Sequence, residues 1–159
     1  MNFGKLFRGL FAKKPAPPPK AAADPRLAAD PWLGELFARL GDRYQLGEDG
    51  ARILRRTGRA RFNPMPVWVR GQAVSCDYEV RAAGAPEAAA VEAGKLLDAR
   101  CGSDLARFGF SKTAEKVEEW AGTVLVRGYE GRFQTAAAAA EAIRFVCEET
   151  ETQLNTAAE

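Results

Sequence analysis

Between Val67 and Val80 the chain reads VWVRGQAVSCDYEV, two alternating runs separated by Gly71-Gln72. In an extended chain Val74, Cys76, Tyr78 and Val80 share one side, and Ser75, Asp77, Glu79 and Arg81 share the other. A period of two does not fit a helix face, so the spacing predicts a half-buried strand. A glycine opening a two-residue turn suits the type II′ geometry that matches strand twist, so Val67–Arg70 is expected to pair back as a hairpin. A hairpin alone is marginal in water. The rest of the chain must therefore supply cover for its apolar face.

Several stretches can do so. Asp30-Pro31 is a helix start, an N-cap followed by proline in the first turn, and Leu33, Leu36, Phe37 and Leu40 then form a stripe, which predicts a helix over residues 31–44. A shorter helix is expected over 48–57, with Ile53 and Leu54 inward and Gly58 as its stop. Residues 85–101 read as a helix with Ala89, Ala93, Leu96, Leu97 and Cys101 inward and Gly102 ending it. Residues 134–156 read as the last helix, with Ile143, Val146, Cys147 and Leu154 on one stripe. Between these, Phe108 and Phe110 alternate like one strand and Trp120, Gly122, Val124 and Val126 like another, with 111–116 as their connection. Ser111 can instead cap a helix running to Trp120. Gly128-Tyr129-Glu130-Gly131 reads as a turn.

This order predicts an α+β domain of two layers: a four-stranded, mainly antiparallel sheet in the order ββαββα, covered by helices on one face. N-terminal helices and a disordered tail precede it. A hydrophobic content of 47% sets the body apart from disordered chains and, over 159 residues, suffices for one core. The division expected is a basic amphipathic segment over 1–14, a Pro/Ala-rich linker over 15–29 and a single domain over 30–159.

Charge is unevenly placed. The formal net charge is +2, but residues 1–23 carry five cations and no acid, which leaves the remainder at −3. Within the tail Phe3, Leu6, Phe7, Leu10 and Phe11 recur at helical spacing, with Lys5, Arg8, Lys13 and Lys14 off that stripe or just beyond it. The segment is far shorter than the roughly 20 apolar residues that span a bilayer, and it lacks the apolar core of a signal peptide. Its expected role is to lie on an anionic membrane surface, phenylalanines in the acyl boundary and cations at the headgroups. Docking on a protein groove, a targeting role and an idle tail are the alternatives. A second basic group, Arg52, Arg55, Arg56, Arg59 and Arg61, is a candidate for an anion or a protein partner. No nucleic acid is expected, because aromatics near it are too few for base stacking.

Chemistry-bearing motifs are absent. The sequence has no histidine, no phosphate loop, no nucleophile elbow and no EF-hand. Cys76, Cys101 and Cys147 are far apart, with no CxxC pair, and fall on apolar positions, so they read as buried hydrophobes in a reducing compartment. No metal, cofactor or catalytic residue is expected. Asp77 and Glu79 share a strand face but read as cross-strand surface partners. The expectation is a non-enzymatic interaction or adaptor module, cytoplasmic and held peripherally on the inner face of a membrane by its tail, with a protein partner and room for a homodimer. The alternative is a soluble protein-binding or chaperone-like domain whose tail is incidental.

Overall fold

The computed structural model describes residues 24–56, 66–119 and 123–150. Two short N-terminal helices, α1 (Pro25–Ala29) and α2 (Pro31–Leu40), lead into a small hairpin of β1 (Tyr44–Leu46) and β2 (Ile53–Arg55). Then come β3 (Val67–Arg70), β4 (Ala73–Ala82), α3 (Pro86–Leu97), a π-helical turn (Asp98–Gly102) and α4 (Ser103–Arg107). The chain continues through β5 (Ser111–Glu119), β6 (Thr123–Arg132), α5 (Ala136–Arg144) and a second π-helical turn (Phe145–Thr150). The main sheet is antiparallel, in the order β3-β4-β6-β5, so the fold is the α+β arrangement expected.

The β3-β4 hairpin forms as its alternation requires. Val74, Cys76 and Tyr78 are fully buried and Val80 nearly so, while Glu79 is exposed and Asp77 half-buried. Gly71 takes a positive φ of 58° at the turn, a conformation that costs glycine little. Two ββα halves meet at the centre of the sheet, where β4 lies against β6 with Asp77 opposite Gly128. Each half then lays a helix on the inner face: Ala89, Ala93 and Leu97 of α3 are buried, as are Ala139 and Ile143 of α5 and Cys147 just beyond it. The alanines Ala89 and Ala93 let α3 pack close to β4 and β6, while α5 packs alongside α2. Tyr78 and Tyr129 meet edge to face at 5.6 Å across the central strands.

Several sequence expectations change. The helix expected over 48–57 is instead the second half of the β1-β2 hairpin. Asp49 accepts hydrogen bonds from the backbone N–H groups of Ala51 and Arg52 at 3.0 and 2.8 Å, and Gly50 takes φ 73°, so a turn forms in place of a helical start. Helix α2 ends at Leu40 and not at residue 44, because Gly41 takes φ 86° and Tyr44 joins a strand. Helical winding also begins earlier than Asp30, with α1 inside the stretch read as linker. There Arg26 ion-pairs with Asp24 at 2.6 Å and donates to the Gly47 carbonyl at 2.6 Å, which ties the segment to the β1-β2 turn.

Gly102 does not end a helix, since its φ of −58° and ψ of −45° are helical. The stop lies at Gly109, with φ 96°. Phe108 and Phe110 are therefore not a strand; they bracket that stop, with Phe108 stacked on Phe145 and Phe110 meeting Phe133 edge to face. The strand is Ser111–Glu119, neither a connection nor a helix. Strand β6 runs on through Gly128-Tyr129-Glu130-Gly131, which is strand interior and not a turn. The last helix starts at Ala136, capped by the Thr135 side chain, and its expected span beyond residue 150 lies outside the described residues.

Candidate functional site

Among the described residues, the inner face of the sheet carries one buried cation. On β6, Leu125, Arg127 and Tyr129 point inward, opposite Val80, Tyr78 and Cys76 on β4. Arg127 is 6% exposed. Burying a guanidinium without partners is costly, and here three groups meet it. Its Nε donates to Glu115 Oε2 at 2.7 Å, and its Nη1 donates to Asp98 Oδ1 at 2.6 Å and to the Tyr129 hydroxyl oxygen at 3.3 Å.

Each contact has a local cause. Glu115 lies directly across from Arg127 in the β5-β6 ladder. Asp98 is the first residue of the π-helical turn, a kind of irregularity that often occurs at functional sites. Gly94 of α3 gives the guanidinium its room, because a Cβ there would come within 2.9 Å of Nη2. Burial works against the charge of Arg127, but the hydrogen bonds it donates to Tyr129, Glu115 and Asp98 outweigh that and hold the group protonated. In return the Arg127 hydrogen bond holds the Glu115 carboxyl below its ordinary range. Burial pushes the Tyr129 hydroxyl up, against the pull of Arg127, so it keeps its proton.

Beside this cation opens a cleft of about 520 Å³, lined by Asp98, Gly102, Ser103, Ala106, Lys112, Arg127 and Tyr129. Its helical wall is built of small residues, which keeps it open. Lys112 Nζ lies 3.6 Å from Glu115 Oε2 along the same strand. Cys101, just behind, donates its S–H to the Leu97 carbonyl at 3.3 Å, and burial pushes its thiol up to about 11. Burial raises the Cys76 thiol further, so neither is poised as a thiolate nucleophile.

Strand β5 contributes Lys112 to the cleft and forms the edge of the sheet. All nine of its residues are exposed, and β6 is its sole strand partner among the described residues. Among the described residues, Val117 of β5 and Val91 of α3 are the large hydrophobic residues left exposed, at 46% and 56%. The outer face of the sheet is built differently. Register places Val124 between Arg81 and Glu118, and Val126 between Glu79 and Lys116, yet both valines are buried. Long charged side chains flanking a valine shield it with their apolar stems.

The basic group predicted from sequence is not a helix face. Arg55 lies on β2, Arg52 forms a bridge to Trp68, and the Arg56 N–H donates to the Arg43 carbonyl at 2.7 Å. Arg59 and Arg61 lie outside the described residues, as do the tail residues Phe3, Lys5, Leu6, Phe7, Arg8, Leu10, Phe11, Lys13 and Lys14. Sequence reading missed Arg127, whose signal was available: a lone charge in the run TVLVRGY, on the same alternate positions as Leu125 and Tyr129. Among the described residues no helix is long and apolar enough to cross a membrane, and no group of metal-ligating side chains comes together. Comparison with protein-family models, with curated proteins and with solved structures finds no match.

Proposed function

We propose that the protein is a non-enzymatic interaction module that receives an extended segment of a protein partner along the edge of β5 that no described strand pairs with. The supporting observation is the edge itself: nine exposed residues, with a row of backbone donors and acceptors facing away from β6. Strand addition satisfies such a row with main-chain hydrogen bonds and reads the partner through alternate side chains. Val117 would contact an apolar residue, and Glu119, on the same face, would favour a cation beside it. In this reading residues 1–14 tether the domain to the anionic inner face of a cytoplasmic membrane, on the strength of their basic amphipathic pattern.

Site-specific photocrosslinking tests the docking edge. A photoreactive residue at Val117 should capture a partner through an extended stretch of its chain, and one at Arg70 on the opposite edge should not. Equal capture from both positions, or adducts confined to a helix of the partner, would contradict strand addition. The tether is tested by sedimentation with anionic vesicles: wild type should pellet, and a variant with Phe7 and Phe11 replaced by Ser should stay in solution. Equal behaviour of the two would remove the tether and leave a soluble protein-binding domain.

A further inference from the structure

The cleft beside Arg127 is separate from the strand edge in what it offers. Its lining holds two cations, Arg127 and Lys112, two hydroxyls, Ser103 and Tyr129, and one carboxylate, Asp98. The two carboxylates on Arg127 are not equivalent. Glu115 binds Nε from the strand and is not part of the cleft lining, whereas Asp98 binds Nη1 from the cleft side with 69% of its side chain exposed. Asp98 can therefore swing into solvent without uncovering the core. Arg127 would stay fixed by Glu115 and by the close approach of Gly94.

We propose that this cleft is an oxyanion site, in which the carboxylate or phosphate group of a small ligand takes the place of Asp98 on Arg127. The incoming oxygens would accept from Arg127 Nη1, from Lys112 Nζ and from the Ser103 and Tyr129 hydroxyls. Tyr129 already accepts from Arg127 through its oxygen, which leaves its proton free to donate into the cleft. Such donors, charge-assisted and preset by packing, are the usual means of holding carboxylate and phosphate. Asp98 then acts as a built-in competitor: it satisfies the buried guanidinium while the site is empty and sets a threshold for ligand. A cationic ligand fits less well, because it would have to sit between Lys112 and Arg127 with Asp98 alone to receive it.

The test is an amide-resolved NMR titration of the full chain with inorganic phosphate and, separately, acetate, against chloride at equal ionic strength. Saturable shifts confined to residues lining the cleft are expected, with affinity in the millimolar range for such minimal probes. Asp98→Asn should tighten binding about tenfold, the effect of removing one charge-assisted competitor. Lys112→Gln should weaken it several-fold, and Ser103→Ala should weaken it less; all three positions are exposed, so the fold is not at stake. Saturation by acetate alone assigns a carboxylate ligand, and saturation by phosphate alone a phosphate. Shifts that do not saturate, mark an adventitious ion only, or are unchanged in both Asp98→Asn and Lys112→Gln would overturn the proposal.

Discussion

The two edges of the main sheet are built on opposite plans. At one side β3 is four residues long and enclosed: Val67 and Val69 are buried, the Val69 N–H donates to the Ala51 carbonyl at 2.8 Å, and Arg52 bridges to Trp68. At the other side β5 is nine residues long, exposed along its whole length, and joined to the body by its ladder with β6 and by the Glu115–Arg127 ion pair. Apolar burial closes the first edge. The second is guarded by charge instead, with Lys112, Glu115, Lys116, Glu118 and Glu119 along it and a break in register between Lys112 and Ala114. Proteins use both devices to keep a bare edge from pairing indiscriminately, which leaves such an edge open to a partner of the right chemistry.

This contrast can be broken first at Arg127. Arg127→Met removes the charge-assisted hydrogen bonds that link β5, through Glu115, to Asp98 of the π-helical turn, and it should cost about 2 to 3 kcal/mol in chemical denaturation. A loss below about 1 kcal/mol would mean that β5 is held by its ladder alone. Next come the valines of the two edges. Val67→Ala, at a fully buried position, should cost about 2 kcal/mol, whereas Val117→Ala should stay within about 0.5 kcal/mol. Equal costs would show that the β5 edge is covered in solution.

Acid sharpens the comparison further. Folding favours the ionised form of Glu115, whose carboxyl Arg127 holds below the ordinary 4.5. That contribution is complete above the ordinary value and is lost as pH falls through the lowered one. Glu115→Gln should therefore melt below wild type at neutral pH and converge with it as the pH falls below the lowered Glu115 value, an outcome read from thermal scans at successively lower pH. The smallest effect is expected from removing residues 1–20: the melting temperature should not change if the tail stands apart from the cooperative core, as its Pro/Ala-rich composition suggests for a spacer. A fall of several degrees would mean that the tail packs on the body.

What the sequence made legible follows the same division. The β3-β4 hairpin could be read because one of its faces is buried and the other is not, so its alternation survives in the residues themselves. Strand β5 carries no such record: with both faces exposed, SKTAEKVEE is equally suited to a helix, and only its pairing with β6 makes it a strand. The glycines of β6 misled for a different reason. A Cβ at Gly131 would come within 2.9 Å of the Gly109 carbonyl oxygen and 3.0 Å of the Phe133 ring, and one at Gly128 within 3.0 Å of Thr113 Oγ1. These glycines allow close approach inside a strand and do not make a turn. Gly102 misled likewise, being helical within a longer run. The Arg127 cleft was hidden because its lining comes from the π-helical turn, α4, β5 and β6, segments that topology alone unites. The hairpin at Tyr44 to Arg55 was within reach, since Asp49-Gly50 between two short apolar runs is a hairpin signal.

Residue-resolved hydrogen exchange of the full chain tests the open edge most directly. If β5 lacks a second strand partner, its amides should alternate, those bonded to β6 protected and those facing away exchanging near the rate of an unfolded chain. The Val69 amide on the opposite edge should be protected with the core. Uniform protection along Ser111–Glu119, above all protection that grows with protein concentration, would contradict a free edge and assign β5 to an interface between copies of this chain.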